Sequence, residues 1–155
     1  MKKLIVIVLF VLLSSSSFAA DIQILPQFKQ VVNRYKQASF FEFSAGIVSS
    51  VLVHELSHIV VAEIKGIGYH WENTAIDPDE SDYQCAMAGF AGQNIIGFLL
   101  PRKSDFALGY NSATFLEIAS YPIRRANKGD FGDHSGLEYG IFMFAATVNI
   151  IRIEW

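Results

Sequence analysis

Val51-Leu52-Val53-His54-Glu55-Leu56-Ser57-His58 carries the most chemically specific spacing in the chain, two imidazoles four residues apart with a carboxylate between them. On a helix His54 and His58 lie one turn apart on one face, so both can give a nitrogen to a single tetrahedral Zn²⁺. Glu55 then stands beside the coordination position left open to water, where it can take a proton. The pattern therefore points to hydrolysis by metal-activated water, with His54 and His58 as ligands and Glu55 as general base. The competing reading is a buried helix that carries these three residues by coincidence. Burying three polar groups without a shared purpose is costly, which weighs against it.

Two histidines do not complete such a site, because catalytic zinc normally takes three protein ligands. The candidates for the third are Asp130, Asp133, His134, Glu138, Glu117 and His70. Gly129-Asp130-Phe131-Gly132-Asp133-His134-Ser135-Gly136 is the densest in metal-capable side chains, and its glycines let the backbone approach another element closely. Asp133 is the expected third ligand and His134 the alternative, with the one that does not bind orienting the other. Cys85 is the only cysteine, so neither a cysteine zinc cage nor an internal disulfide exists. It reads as a small buried hydrophobe.

The elements that must position these residues are mostly helical. Pro26 suits the first turn of a short amphipathic helix carrying Phe28, Val31, Val32 and Tyr35 at helical spacing. Phe40, Phe41 and Phe43 form an aromatic cluster. Ser44 to Ile64 is apolar on nearly every side, which requires burial in a protein core or a bilayer. Gly66 is placed to end that helix in the left-handed conformation. Gly68 to Ile76 reads as a short strand, and residues 77–82 as an acidic turn ending in a helix cap. Apolar helices follow at Cys85–Leu100, Asn111–Ile123 and Leu137–Ile151, with a loop expected over 102–110. Gly89, Gly92 and Gly97 give the first of these a thin side for close packing, and Gln93 or Asn94 on it can position a substrate. The expected fold is mainly α, a compact bundle of about four to five helices with at most a short strand near 69–76.

Hydrophobic residues make up 52% of the 155 and charged residues 17%. Lys2 and Lys3 precede an apolar run from Leu4 to Leu13, then Ser14–Ser17 and Phe18-Ala19-Ala20, the layout of a secretory signal peptide over 1–19. An uncleaved anchor is the alternative. Residues 20–155 are then a single exported domain. Without Lys2 and Lys3, 10 of the 12 basic residues remain against 15 acidic ones, a balance that excludes nucleic acid as a partner.

His54-Glu55-Leu56-Ser57-His58 with Ala62 and Gly66 resembles H-E-x-x-H-x-x-x-A-x-x-x-G of the site-2 protease family of intramembrane zinc proteases. Ala88-Gly89-Phe90-Ala91-Gly92-Gln93 is similar to that family's A-G-P-x-x-N, with Phe90 in place of proline and Gln93 in place of asparagine. Asp133 stands where the family has a zinc-ligating aspartate before a hydrophobic helix, although His134 follows it where glycine is usual. The resemblance implies a helical membrane fold, zinc below the bilayer surface, and cleavage of protein substrates in or beside transmembrane segments. Ser44–Ile64 is long enough to span, while the other apolar helices are short for spans. An exported N-terminus would also leave Arg102, Lys103, Arg124, Arg125 and Lys128 outside, against the positive-inside tendency. A soluble exported zinc peptidase, and a non-catalytic exported zinc-binding module or pseudo-protease, are the alternatives.

Overall fold

The computed structural model describes residues 26–72, 75–79, 82–124 and 136–152. The expected signal peptide and the glycine-rich turn with Asp130, Asp133 and His134 lie outside the described residues. The chain divides into two units, Met1–Lys36 and Gln37–Trp155. Helix α1, Pro26–Gln37, begins at Pro26, whose missing N–H costs nothing in a first turn, and carries Arg34 and Lys36 in its last turn.

The second unit holds α2 (Phe40–Lys65), β1 (Tyr69–Glu72), β2 (Ala75–Pro78), α3 (Tyr83–Leu99), α4 (Asp105–Arg124) and α5 (Gly136–Arg152). The fold is mainly α, as expected. Helix α2 begins four residues before the expected start because Ser39 caps it: the Ser39 side chain accepts from Glu42 N at 3.5 Å. Phe40 and Phe41 thus form its first turn, both largely exposed. The helix runs 26 residues, about 39 Å at 1.5 Å per residue, and is long and apolar enough to cross a membrane. Gly66 ends it at φ 70°, and Ile67 N donates to Ala62 O at 2.9 Å, which satisfies a terminal carbonyl.

The expected single strand is a two-stranded antiparallel hairpin with Tyr69 opposite Pro78 and Glu72 opposite Ala75. Asp77 and Pro78 belong to β2 rather than to the acidic turn. Pro78 sits at the strand end, where its missing N–H leaves no ladder bond unmade. Asp82 caps α3 by accepting from Cys85 N at 2.9 Å, and it also accepts from Lys65 Nζ at the end of α2. Helix α4 occupies much of the expected 102–110 loop. Its first turn is stabilised by Ser104, whose Oγ accepts from Ala107 N at 3.3 Å and whose carbonyl accepts from Leu108 N at 3.0 Å. Gly109 lies within that helix because a Cβ there would come within 2.0 Å of Phe43 O on α2.

Helices α2 and α5 each pack on both α3 and α4. Neighbouring ends are tied in an up-down-up-down order. Lys65 meets Asp82, Ser39 N donates to Asp105 Oδ2 at 2.7 Å, Tyr83 Oη donates to Glu138 Oε1, and Arg152 Nη1 donates to Phe98 O at 2.5 Å. Phe90, Ile118, Phe142 and Ala146 form a buried apolar cluster among α3, α4 and α5.

The sidedness of α2 is the reverse of a water-soluble amphipathic helix. Its buried residues are Gly46, Ser50, His54, His58 and Ala62, small or polar and four apart. Val48, Val51, Leu52, Leu56, Val60 and Ile64 are exposed. Ile95, Phe98 and Leu99 on α3 and Leu137, Ile141 and Phe144 on α5 are exposed too. Among the described residues of α2 to α5, Glu55 and Glu117 are the only charged side chains away from the helix ends.

Candidate functional site

The inward stripe of α2 brings His54 and His58 together, both only 3% exposed, with ring centroids 4.8 Å apart and planes at 72°. The i, i+4 spacing does this because both side chains lie on the face that α3 covers. Each ring is fixed by its Nδ1. His58 Nδ1 lies 2.7 Å from Cys85 O. A carbonyl only accepts, so Nδ1 carries the proton and, in the neutral ring, Nε2 keeps the lone pair.

His54 Nδ1 lies 3.1 Å from Gln93 Oε1. The orientation of that amide follows from its other contacts. Gln93 Nε2 is 3.1 Å from Ser50 O, 3.0 Å from Ser50 Oγ and 2.9 Å from Glu117 Oε2. Two of these are acceptors only, so the nitrogen must face them and the oxygen must face His54. Nδ1 of His54 is then the donor, and Nε2 is again the lone-pair nitrogen. Phe90 packs its ring edge-on against His54, with centroids 4.7 Å apart, and is itself fully buried. Phe90 thus helps to hold the imidazole.

Gly89 lets these two nitrogens pack directly against α3. A Cβ at this position would lie 2.6 Å from Nε2 of both His54 and His58, and 2.5 Å from Cε1 of His54. One helical turn on, Gly92 does the same for Ser57, whose Oγ would be 2.0 Å from an added Cβ and donates to Val53 O at 2.6 Å. Two imidazole Nε2 atoms brought close to one point suit a borderline-soft cation such as zinc, which takes imidazole nitrogen at about 2.0–2.1 Å. The residues present fit the ion.

Glu55 is on the adjacent face of α2, partly buried, and its Oε2 accepts from Ile76 N of β2 at 2.7 Å. The hairpin therefore fixes the carboxylate of the residue that follows His54. The other proposed ligands divide clearly. His70 is exposed on β1, with Nδ1 2.8 Å from Asp79 Oδ1. Glu138 is held by Tyr83 at the start of α5. Glu117 approaches the site from the Nδ1 side of His54, at 3.9 Å, and not from the Nε2 side. Among the described residues no group of three or more His, Cys, Asp or Glu is gathered as a metal cage. Asp133 and His134 lie outside the described residues.

Gln93 and Asn94 are both turned into the bundle. Gln93 anchors His54, and Asn94 Nδ2 donates to Phe90 O at 2.9 Å while its carbonyl accepts from Asn149 Nδ2 at 3.0 Å. Three contributors are not legible from the motif alone: Gln93 as the fixer of a tautomer, the Cys85 carbonyl, and Gly89 as the point of close approach. The i, i+4 relation of Gly89 to Gln93, parallel to that of His54 to His58, is the signal that links them. No protein-family model, curated protein or solved structure matches the chain.

Proposed function

We propose that the protein is a zinc peptidase seated in a membrane, which hydrolyses peptide bonds of exported or membrane-associated protein substrates. The observation that supports this reading is that the Nε2 atoms of His54 and His58 both come against the same glycine, Gly89, with Glu55 the next residue after His54 on the same helix. When bound, zinc supplies a Lewis acid that polarises a carbonyl and lowers the pKa of water. His54 and His58 would hold it, with Asp133 as the expected third ligand and His134 as the alternative. Glu55 takes a proton from the attacking water and returns it to the leaving amine. The Ile76 N–H holds the Glu55 carboxylate in place.

The membrane part of the proposal rests on the outer surface. Large aliphatic side chains face outward from α2 while Ser50, His54 and His58 face inward. In water that arrangement exposes what the hydrophobic effect would bury; in lipid it turns the polar side chains away from the hydrocarbon. Of the two charges between the helix ends, Glu117 lies beside His54 and Glu55 is held by the hairpin, the kind of internal partner that intramembrane ionisable groups take.

The decisive experiment is a three-way comparison of tag-free protein purified in detergent. Wild type should carry zinc and cleave peptides that contain an apolar helix. Glu55→Gln should keep zinc and lose cleavage by a factor of about 10² or more. His54→Ala should lose the metal. Full activity in Glu55→Gln, or wild type with less than about 0.1 zinc per chain after exposure to the ion, would overturn the reading.

A further inference from the structure

Among the described residues, Glu117 is the one charged side chain between the helix ends for which the hydrolytic scheme has no use. It lies on α4, across from His54, and is only partly buried by the surrounding helices. Its Oε2 accepts from Gln93 Nε2 at 2.9 Å and its Oε1 is 3.9 Å from His54 Nδ1. Gln93 itself is fully buried and joins Ser50, Glu117 and His54 in one network.

We infer that Glu117 is a positioning residue for the metal, acting on His54 through Gln93; this rests on the zinc reading above. Two effects follow from the geometry. The carboxylate can only accept, so it holds the Gln93 amide nitrogen toward itself and toward Ser50, and turns the amide oxygen to His54 Nδ1. That keeps the Nδ1 proton in place and presents the lone pair of Nε2 to the Gly89 side. The negative charge of Glu117 also lies close behind the imidazole, where it strengthens the ring as a donor to a dication. Ser50 steadies the same amide from the other side. Its Oγ lies 3.0 Å from Thr114 Oγ1, so Thr114 and Glu117, three apart on α4, support one hydrogen-bonded column. His58 is built differently. Its Nδ1 faces the neutral Cys85 carbonyl, whereas His54 has the Glu117 carboxylate beside its Nδ1.

The test is zinc affinity, measured on the full-length protein in detergent by competition with a chromophoric chelator. Glu117→Gln retains an acceptor for Gln93 but removes the charge, and should weaken zinc binding about 10–100-fold. The melting temperature of the metal-free protein should be unchanged. A Glu117 that merely braced the bundle would do the opposite, lowering the metal-free melting temperature and leaving the affinity of the folded protein as it was. Affinity within threefold of wild type overturns the inference and leaves the zinc site standing. Failure of wild type itself to bind zinc removes the site and the inference together. A second measurement needs no variant: in metal-free protein labelled with ¹⁵N-histidine, His54 should be the tautomer protonated on Nδ1. Finding the proton on Nε2 of the neutral ring overturns the inference even if Glu117→Gln fails to fold.

Discussion

A Cβ added to Gly89 would stand 2.6 Å from Nε2 of His58, inside any contact that a real side chain tolerates. The glycine of one helix is thus matched to the histidines of another, and both Nε2 atoms of the pair come against it.

Gly89→Ala separates the metal site from the fold. In a helix interior alanine is favoured over glycine by about 1 kcal/mol, which offsets part of the cost of moving the two rings aside. The metal-free variant should therefore melt within a few degrees of wild type. Zinc affinity should fall at least about tenfold, because either ring displaced by even half an ångström no longer converges with the other. Equilibrium dialysis against zinc reads the affinity; wild-type loading in Gly89→Ala would remove the basis for placing the ion there.

The helical architecture was legible because each helix announces its ends chemically. Gly66 was readable as a left-handed stop and the acidic run as a cap for α3, and both hold. The start of α4 was not readable, because Gly109 looks like a loop residue until the approach of Phe43 O explains it. The histidine pair was legible from spacing alone, since i, i+4 puts two rings on one face wherever that helix goes. What spacing could not give was the far side of each ring. Gln93, Glu117 and Cys85 are 39, 63 and 27 or more residues from the histidines they serve, and only tertiary packing brings them there. The apolar character of α2 was legible as well. Which of its residues face outward was not, because a helix apolar all round has no moment to read.

Gly46 and Gly109 set the distance between α2 and α4. A Cβ on Gly46 would lie 2.1 Å from Phe106 O, and one on Gly109 would lie 2.0 Å from Phe43 O. Both clashes are with backbone, so no rotamer change relieves them. Gly46→Ala and Gly109→Ala should each destabilise the protein by about 1–3 kcal/mol. Because either substitution forces the same two helices apart, the double variant should lose less than the sum, with a coupling of at least about 0.5 kcal/mol. Thermal or denaturant unfolding of the four proteins in one detergent gives the cycle. Strict additivity would mean that the two glycines do not share one helix spacing.

Asp82 gives a pH dependence with a definite sign. The hydrogen bond from Lys65 and then that from Cys85 N hold its carboxyl below the usual carboxylate range. A carboxyl whose folded pKa is depressed contributes stability above its unfolded value, about 3.9, and loses it as pH falls through the folded value. At pH 7 the melting order should be wild type, then Asp82→Asn, then Asp82→Ala, because asparagine still caps the helix but cannot pair with Lys65. Below about pH 4 the gap between wild type and Asp82→Asn should close. A gap that persists unchanged to pH 2 would show that the charge of Asp82 is not its source.

Leu52 decides what surrounds the bundle. It lies half-way between Glu42 and Glu63 on α2, on the outward face, and is 54% exposed. On a protein surface in water, replacing such a leucine by lysine changes stability by less than about 0.5 kcal/mol. At the centre of a bilayer the same lysine costs about 2.5–3.5 kcal/mol, reduced where the side chain can reach the interface. Leu52 is about 15 Å from either charged position, beyond the reach of one lysine side chain. Leu52→Lys should therefore reduce the membrane-integrated fraction and the yield of folded protein severalfold, while Leu52→Ile leaves both unchanged. Resistance of the wild type to alkaline extraction, compared with the two variants, is the readout. If Leu52→Lys is recovered in the soluble fraction with wild-type yield and zinc content, the outward aliphatic face of α2 meets water and the membrane half of the proposal is wrong.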